Sequence, residues 1–201
     1  MPKLDIAAVS DPVAAAKAKL RQTMLAGREA LPVAERVAAA ETLAARGLPI
    51  PVPPGAVVSG YSPLKSEISP VPLMRRLADA GAKLALPVVQ GRSHPLIMRA
   101  WAFGEPLGSG VWGIREPKPE APEVFPDILI VPLLAFDRRG ERLGYGAGHY
   151  DRTIARLRTM KPIVTIGVAF AAQEVPDLPS TSLDERLDFV LTERDVIDLR
   201  A

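Results

Sequence analysis

Residues 127–134 read DILIVPLL. An apolar run of this length, opened by an aspartate and carrying one proline, is the pattern of a strand buried on both faces. A second such run, PIVTIGVAF at 162–170, follows after a helical pattern at about 150–159. Upstream, AVVSGY at 56–61 reads as a short buried strand, and residues 83–89 and 96–101 as two more. A helix at 70–80, closed by Gly81, separates the first two of these. Residues 188–191 form a last short strand, and the Gly- and Pro-crowded stretch 103–126 reads as a loop. Strands alternating with helices in this way predict an α/β fold whose mostly parallel sheet is covered on both sides. Residues 12–46 precede the sheet as a helical pair. Asp11 before Pro12 supplies an N-cap with proline at the first helical position, and a second helix runs from Pro32 to near Gly47. The expected organisation is one domain over 1–201, with the helical pair in 1–50 and the α/β body in 56–201.

The composition excludes several classes of function. With 48% hydrophobic and 24% charged residues the chain is no disordered polymer. Twenty-five Lys and Arg balance 23 Asp and Glu, too evenly for bulk nucleic-acid binding. Cysteine is absent, so disulfides, thiol catalysis and zinc–thiolate sites are excluded. Only His94 and His149 are present, which removes a multi-histidine metal site. No apolar run reaches bilayer length, and the first residues, with Pro2, Lys3 and Asp5, contain no apolar signal segment. The expectation is a cytoplasmic protein without membrane or nucleic-acid partners.

Chemistry concentrates in residues 140–152, GERLGYGAGHYDR, between a buried strand and a helix. Gly144, Gly146 and Gly148 leave backbone N–H groups exposed beside a helix N-terminus, the ingredients of an anion site. Arg142 and Arg152 flank the loop. The spacing matches neither a Walker A loop nor the dinucleotide fingerprint, so a plain Gly-rich turn fits the pattern equally well. Asp151 is open to two readings, a helix N-cap or a Mg²⁺ ligand. Near the N-terminus, Lys17, Arg21 and Arg28 fall on one side of a helical wheel. They form a basic stripe able to meet a triphosphate or a solvated face.

FDRRGERLGYGAGHYDR, residues 136–152, closely resembles the signature of the 5-formyltetrahydrofolate cyclo-ligase family. The resemblance extends over most of the chain. Lys17, Leu20 and Arg21 match an N-terminal element that contacts ATP. In YSPLKSEISPVPL (61–73), Glu67 matches a substrate-binding glutamate, with Ser62 at a nearby contact position. GVWGIREP (110–117) resembles a Gly-Ile-x-Glu-Pro stretch in which Trp112 could stack on the folate or lie in the core. Asp184, Leu187 and Asp188 match a C-terminal Asp-x-x-Leu-Asp element. His149 stands where the family commonly has the first tyrosine of Tyr-Tyr-Asp, and Ala147 replaces Gly or Lys.

The resemblance implies a three-layer α/β/α fold like that of sugar-phosphate isomerases and CoA transferases. It implies ATP as co-substrate and Mg²⁺ as cofactor in a monomer that closes 5-formyltetrahydrofolate, and its polyglutamates, to 5,10-methenyltetrahydrofolate. ATP would meet Lys17, Arg21, Arg142, Leu143, Gly144, Tyr145, Gly146, Ala147, Gly148, His149 and Tyr150. Folate would meet Ser62, Glu67, Trp112, Tyr145, Gly146, Ala147, Gly148 and His149. Asp151 and Asp184 would hold the metal, and Arg142 and Tyr150 would act in catalysis. Phosphosugar isomerisation, or a folate- or nucleotide-binding regulator without turnover, are the alternatives.

Overall fold

The computed structural model describes residues 11–200; Met1 to Ser10, with Pro2, Lys3 and Asp5, and Ala201 lie outside the described residues. In chain order the elements are α1 (Pro12–Glu29), α2 (Val33–Arg46), β1 (Val57–Ser59), α3 (Val71–Asp79), β2 (Lys83–Val88) and β3 (Ile97–Ala100). Then follow β4 (Leu107–Ser109), β5 (Arg115–Pro117), β6 (Ile128–Pro132), β7 (Ala135–Phe136) and β8 (Arg142–Leu143). The chain ends with α4 (His149–Met160), β9 (Val164–Val168), β10 (Phe189–Leu191) and β11 (Val196–Asp198).

Seven strands form the central sheet in the order β11-β10-β9-β6-β1-β2-β3. The five inner strands are parallel and both edge strands are antiparallel. The expected mostly parallel α/β sheet is therefore present. The apolar run at 127–134 becomes β6, the middle strand, whose Ile128 to Val131 are all buried. Its side chains alternate between two cores, as a pleated strand requires. Ile128 and Ile130 pack with Ala40, Leu43 and Ala44 of α2 and with Leu73 and Leu77 of α3. Leu129 and Val131 pack with Ile154 and Leu157 of α4. The three layers are thus α2 with α3, the sheet, and α4.

The two N-terminal helices are consecutive in sequence but serve different parts of the molecule. Asp11 caps α1, accepting a hydrogen bond from Val13 N–H. Helix α2 joins the sheet, whereas α1 lays Leu20 and Met24 against Ala135, Leu143 and Leu178, beyond the strand ends. The one fully buried side chain of α1 is Arg28.

The stretch 103–126 is more ordered than a loop: β4 and β5 pair as an antiparallel hairpin within it. Three-residue strands rich in Gly and Pro carry no readable periodicity. Strand β11, the antiparallel edge beside β10, is absent from the expected strand set because three residues with one buried side chain are too short to show a period. Among the described residues no helix is long and apolar enough to cross a membrane.

Candidate active site

Strand β1 is where the sheet changes direction. From it the chain proceeds to β2 on one side, then returns to β6 on the other. Such a switch point leaves a crevice at the carboxyl ends of the strands, where α/β proteins bind ligands. A pocket of about 680 Å³ opens there, within the roughly 300–1,000 Å³ typical of small-molecule sites. Tyr61 and Ser62 follow β1, Pro87 and Val89 lie at the end of β2, and Pro132 ends β6; all line it. Lys17 and Arg21 reach it from α1, Trp112 from the turn between β4 and β5, and Asp184 from the segment before β10. The Gly-rich loop and the start of α4, residues 142–151, complete the wall.

The signature 136–152 divides into two halves with different work. The first is scaffolding. Asp137, fully buried, accepts hydrogen bonds from Arg139 N–H, Glu141 N–H and Leu178 N–H, closing the turn between β7 and β8. Buried Glu141 holds Arg186 at 2.8 Å. The second half faces the pocket. Gly146 and Gly148 have φ of +102° and +66°, a region that disfavours any Cβ. A Cβ on Gly146 would press on the Arg21 guanidinium, and one on Gly148 on Arg152. Arg21 Nε donates to Gly144 O at 2.8 Å, so α1 holds the loop directly.

Two ion pairs stand at the cationic end. Lys17 Nζ lies 2.6 Å from Asp184 Oδ2. Arg142 Nη2 lies 2.7 Å from Asp151 Oδ1, which also accepts Glu185 N–H at 3.1 Å. That amide places Asp151 beside the residue after Asp184, and both aspartates line the pocket. Burial pulls the Arg142 pKa down, with Asp151 foremost among the groups opposing it. Among the described residues, Arg142 Nε–H is buried without an acceptor. The structure corrects the N-cap reading of Asp151: Gly148 is the N-cap of α4, no side chain caps it, and Asp151 sits in the first turn, paired with Arg142. Burial also pushes the Tyr150 hydroxyl far up, so it stays protonated and can donate a hydrogen bond. The Asp184 carboxyl is held low, by Lys17 and by the Thr181 amide and hydroxyl acting against its burial.

Glu67 lies at the opposite chemical extreme, buried at 9% exposure. Its Oε2 accepts Leu64 N–H at 2.7 Å. Burial raises its pKa, while the Leu64 amide, the Arg28 charge and the Tyr145 hydroxyl work against that rise. Arg28 departs from the expected stripe. Rather than meeting the pocket beside Lys17 and Arg21, it is buried and donates to Ser66 Oγ, Leu133 O and Tyr145 OH. Ser62 Oγ donates to Arg115 O at 2.6 Å, fixing β5 to the segment that carries Glu67.

Trp112 is no core residue: it is 58% exposed at the pocket rim, with a φ of +59°. Its ring centroid lies 6.2 Å from that of His149. His149 Nδ1–H donates to His94 O at 3.0 Å, which leaves Nε2 as a buried acceptor without a partner. Leu143 lies beneath the loop in the small core with Leu20 and Met24. Apart from Arg28 of the basic stripe and Leu20, which lies in the small core, every residue singled out in the sequence as ATP-, folate- or metal-binding borders this pocket, Ala147 included.

The sequence reading passed over Tyr61, Lys65, Ile114 and Glu116, which also line the pocket. Glu116 is the most consequential. It is 7% exposed, and its Oε1 accepts Val89 N–H at 3.1 Å. Its signal lay in GVWGIREP, a carboxylate between Ile114 and Pro117.

The donor set suits magnesium. The two pocket-lining carboxylates are hard oxygen ligands, and among the described residues no third metal-binding side chain joins them. Mg²⁺ bound by one or two carboxylates completes its octahedron with water and phosphate oxygens. The counter-cations Lys17 and Arg142 would then be released to the phosphates, which preserves charge balance.

Residues 13–193 match the model of the 5-formyltetrahydrofolate cyclo-ligase family. A 5-formyltetrahydrofolate cyclo-ligase of Mycolicibacterium smegmatis is 34% identical over 200 residues, covering 92% of this chain and 97% of the relative. The solution structure of Aquifex aeolicus 5,10-methenyltetrahydrofolate synthetase superposes with a TM-score of 0.77 at 32% identity, covering 92% of this chain and 93% of that one. The corresponding Mycoplasma pneumoniae structure, at 22% identity and a TM-score of 0.69, covers 88% and 98% and shares the fold.

Proposed function

The chain belongs to the 5-formyltetrahydrofolate cyclo-ligase family, and on that premise we propose that its pocket closes 5-formyltetrahydrofolate to 5,10-methenyltetrahydrofolate at the expense of MgATP. The observation that carries this reading is the meeting, in one pocket, of a cationic wall of Lys17, Arg21 and Arg142 with the buried carboxylate of Glu67. A formyl oxygen is a poor leaving group. Transfer of the γ-phosphoryl group to it makes the carbon electrophilic; N10 then attacks and phosphate departs. MgATP supplies that phosphoryl group.

Phosphoryl transfer depends on positioning and charge stabilisation more than on a protein nucleophile. Lys17, Arg21 and Arg142 bind the phosphates, together with the backbone N–H groups of residues 144–148. Asp151 and Asp184 hold Mg²⁺. The protonated Tyr150 hydroxyl donates to charge developing on the transferred group. Glu67 accepts N–H donors of the pterin, and Trp112 covers the ring from the rim. His149 Nε2 offers an acceptor to the substrate in place of a phenol. The test is direct: the protein, MgATP and 5-formyltetrahydrofolate should together generate the near-ultraviolet absorbance of the methenyl product, with one ADP released per ring closed. Binding of both ligands without product would favour a regulator. Conversion of a phosphosugar without ATP would favour an isomerase.

Glu67→Gln should weaken folate binding about 5- to 150-fold. It keeps the size of the side chain but leaves one substrate donor unpaired, a cost of about 1–3 kcal/mol. Quenching of tryptophan fluorescence by 5-formyltetrahydrofolate measures it. Parent-like affinity would reduce Glu67 to a brace for the Leu64 amide.

A further inference from the structure

Ring closure leaves one proton to be placed. N10 uses its lone pair to form the new C–N bond, the C–O bond breaks with its electrons leaving on phosphate, and the proton on N10 must pass to an acceptor. We propose that Glu116 is that acceptor: a buried carboxylate in the pocket wall, with Oε1 fixed by Val89 N–H and Oε2 free of any hydrogen bond from the described residues. The inference rests on the reading of the pocket as a cyclo-ligase site.

The other carboxylates of the pocket are committed. Asp184 and Asp151 are ion-paired with Lys17 and Arg142. Glu67 lies in the field of Arg28 and is bonded to Leu64 N–H. Among the described residues Glu116 makes no ion pair. Burial raises its pKa, and the Val89 amide is the one group that opposes the rise. The charged and titratable residues on the elements around it are Arg115 beside it on β5, Lys83 on β2, Arg92 and His94 beyond β2, and Lys65 and Glu67 on the segment tied to β5. None of these is hydrogen-bonded to it.

Its placement suits the role. The bond from Ser62 to Arg115 O ties β5 to the segment bearing Glu67, so Glu116 belongs to the strand fastened to the proposed folate-binding segment. The backbone makes room for it. A Cβ on Gly110 would overlap the Glu116 carboxylate, so the hairpin accepts this side chain because residue 110 has none. A buried acid with a raised pKa and no cation is costly at neutral pH, and it is matched to general-base work there.

The sign of the pH dependence follows. Protonated Glu116 cannot accept, so the ring-closing step should slow as pH falls through its raised pKa and level off above it. In a single turnover of the wild-type protein, ADP formation and methenyl formation are followed separately. Acid should slow methenyl formation while leaving the ADP burst in place.

Glu116→Gln keeps an acceptor for Val89 N–H and removes the charge. It should lower kcat on the order of 10²-fold. It should keep both KM values within a few-fold, retain the ADP burst, lose the acid limb, and melt no lower than the parent at pH 7.5. Turnover at the parent rate, an acid limb that persists, or loss of the ADP burst together with ring closure would overturn the proposal. If the variant does not fold, a wild-type methenyl step independent of pH between 5 and 7.5 overturns it alone. A wild-type protein that makes no methenyl product at all refutes the cyclo-ligase reading instead.

Discussion

Arg142→Met should lower turnover on the order of 10²- to 10³-fold while the protein remains folded. The side chain is 4% exposed, lines the pocket with the Gly-rich loop and pairs with Asp151. Its Nε–H has no acceptor among the described residues, so a donor stands ready for a ligand oxygen. Removing one preorganised donor from a developing oxyanion costs about 2.7–4 kcal/mol of transition-state stabilisation, which sets the expected factor. Methionine fills similar space without charge. Asp151 keeps the Glu185 amide and is 19% exposed on its side chain, so the freed carboxylate retains contact with water. Initial rates of ADP release, with melting temperature as the control, measure the effect. A loss of less than about tenfold in a well-folded variant would assign Arg142 to holding Asp151 and remove it from the chemistry.

The largest effect on stability is expected at Arg28. Arg28→Ala should cost about 3 kcal/mol, near the lower end of the range for breaking buried charged interactions, and lower the melting temperature by roughly 6–12 °C. Arg28 is 2% exposed and donates to Ser66 Oγ at 3.1 Å, to Leu133 O at 3.3 Å and to Tyr145 OH. Leu133 O also receives Gln173 Nε2 at 2.8 Å, so the variant does not orphan that carbonyl. The loss falls on Ser66, on Tyr145 and on the docking of α1, whose other side chains are exposed or only partly buried. Without the Arg28 charge the Glu67 pKa should rise further, because that charge now lowers it. Loss of folate binding on acidification should therefore begin at a higher pH than in the parent. Thermal unfolding by circular dichroism reads the first effect. A shift below about 2 °C would mean that Leu20 and Met24, with the Lys17 and Arg21 contacts, hold the helix without it.

These two arginines mark the boundary between what is legible in the chain and what is not. Arg142 stands in a Gly-rich segment between a strand and a helix, and that local setting already associates it with an anion site. Arg28 shares a helical wheel with Lys17 and Arg21, yet it points into the protein rather than to the pocket. A wheel reports which residues share a face; it carries no information about what the far end of that face packs upon. Asp151 repeats the lesson. Its position suggests a cap, but Gly148 takes that place in the left-handed conformation, and Arg142 claims the carboxylate.

The sequence by itself determined the layers of the fold. DILIVPLL and the strand within PIVTIGVAF are buried on both faces, and continuous apolar runs between helical patterns have few other solutions. It also singled out the candidate binding loop: three alternating glycines beside a helix start mark an anion site or a plain turn without any distant partner, and the longer signature around them resembles the family's. Only the tertiary structure decided which charges meet. Lys17 and Asp184 are 167 residues apart, and the two lie 2.6 Å from one another because α1 and the segment before β10 both close over the ends of the same strands. The tertiary structure likewise decided that Glu116 is buried without a cation. That property belongs to the junction of β2, the β4–β5 hairpin and the segment carrying Glu67. Desolvation and ion pairing depend on groups brought together through space, whereas burial periodicity and backbone preference act over a few neighbouring residues, and only the latter are written locally in the chain.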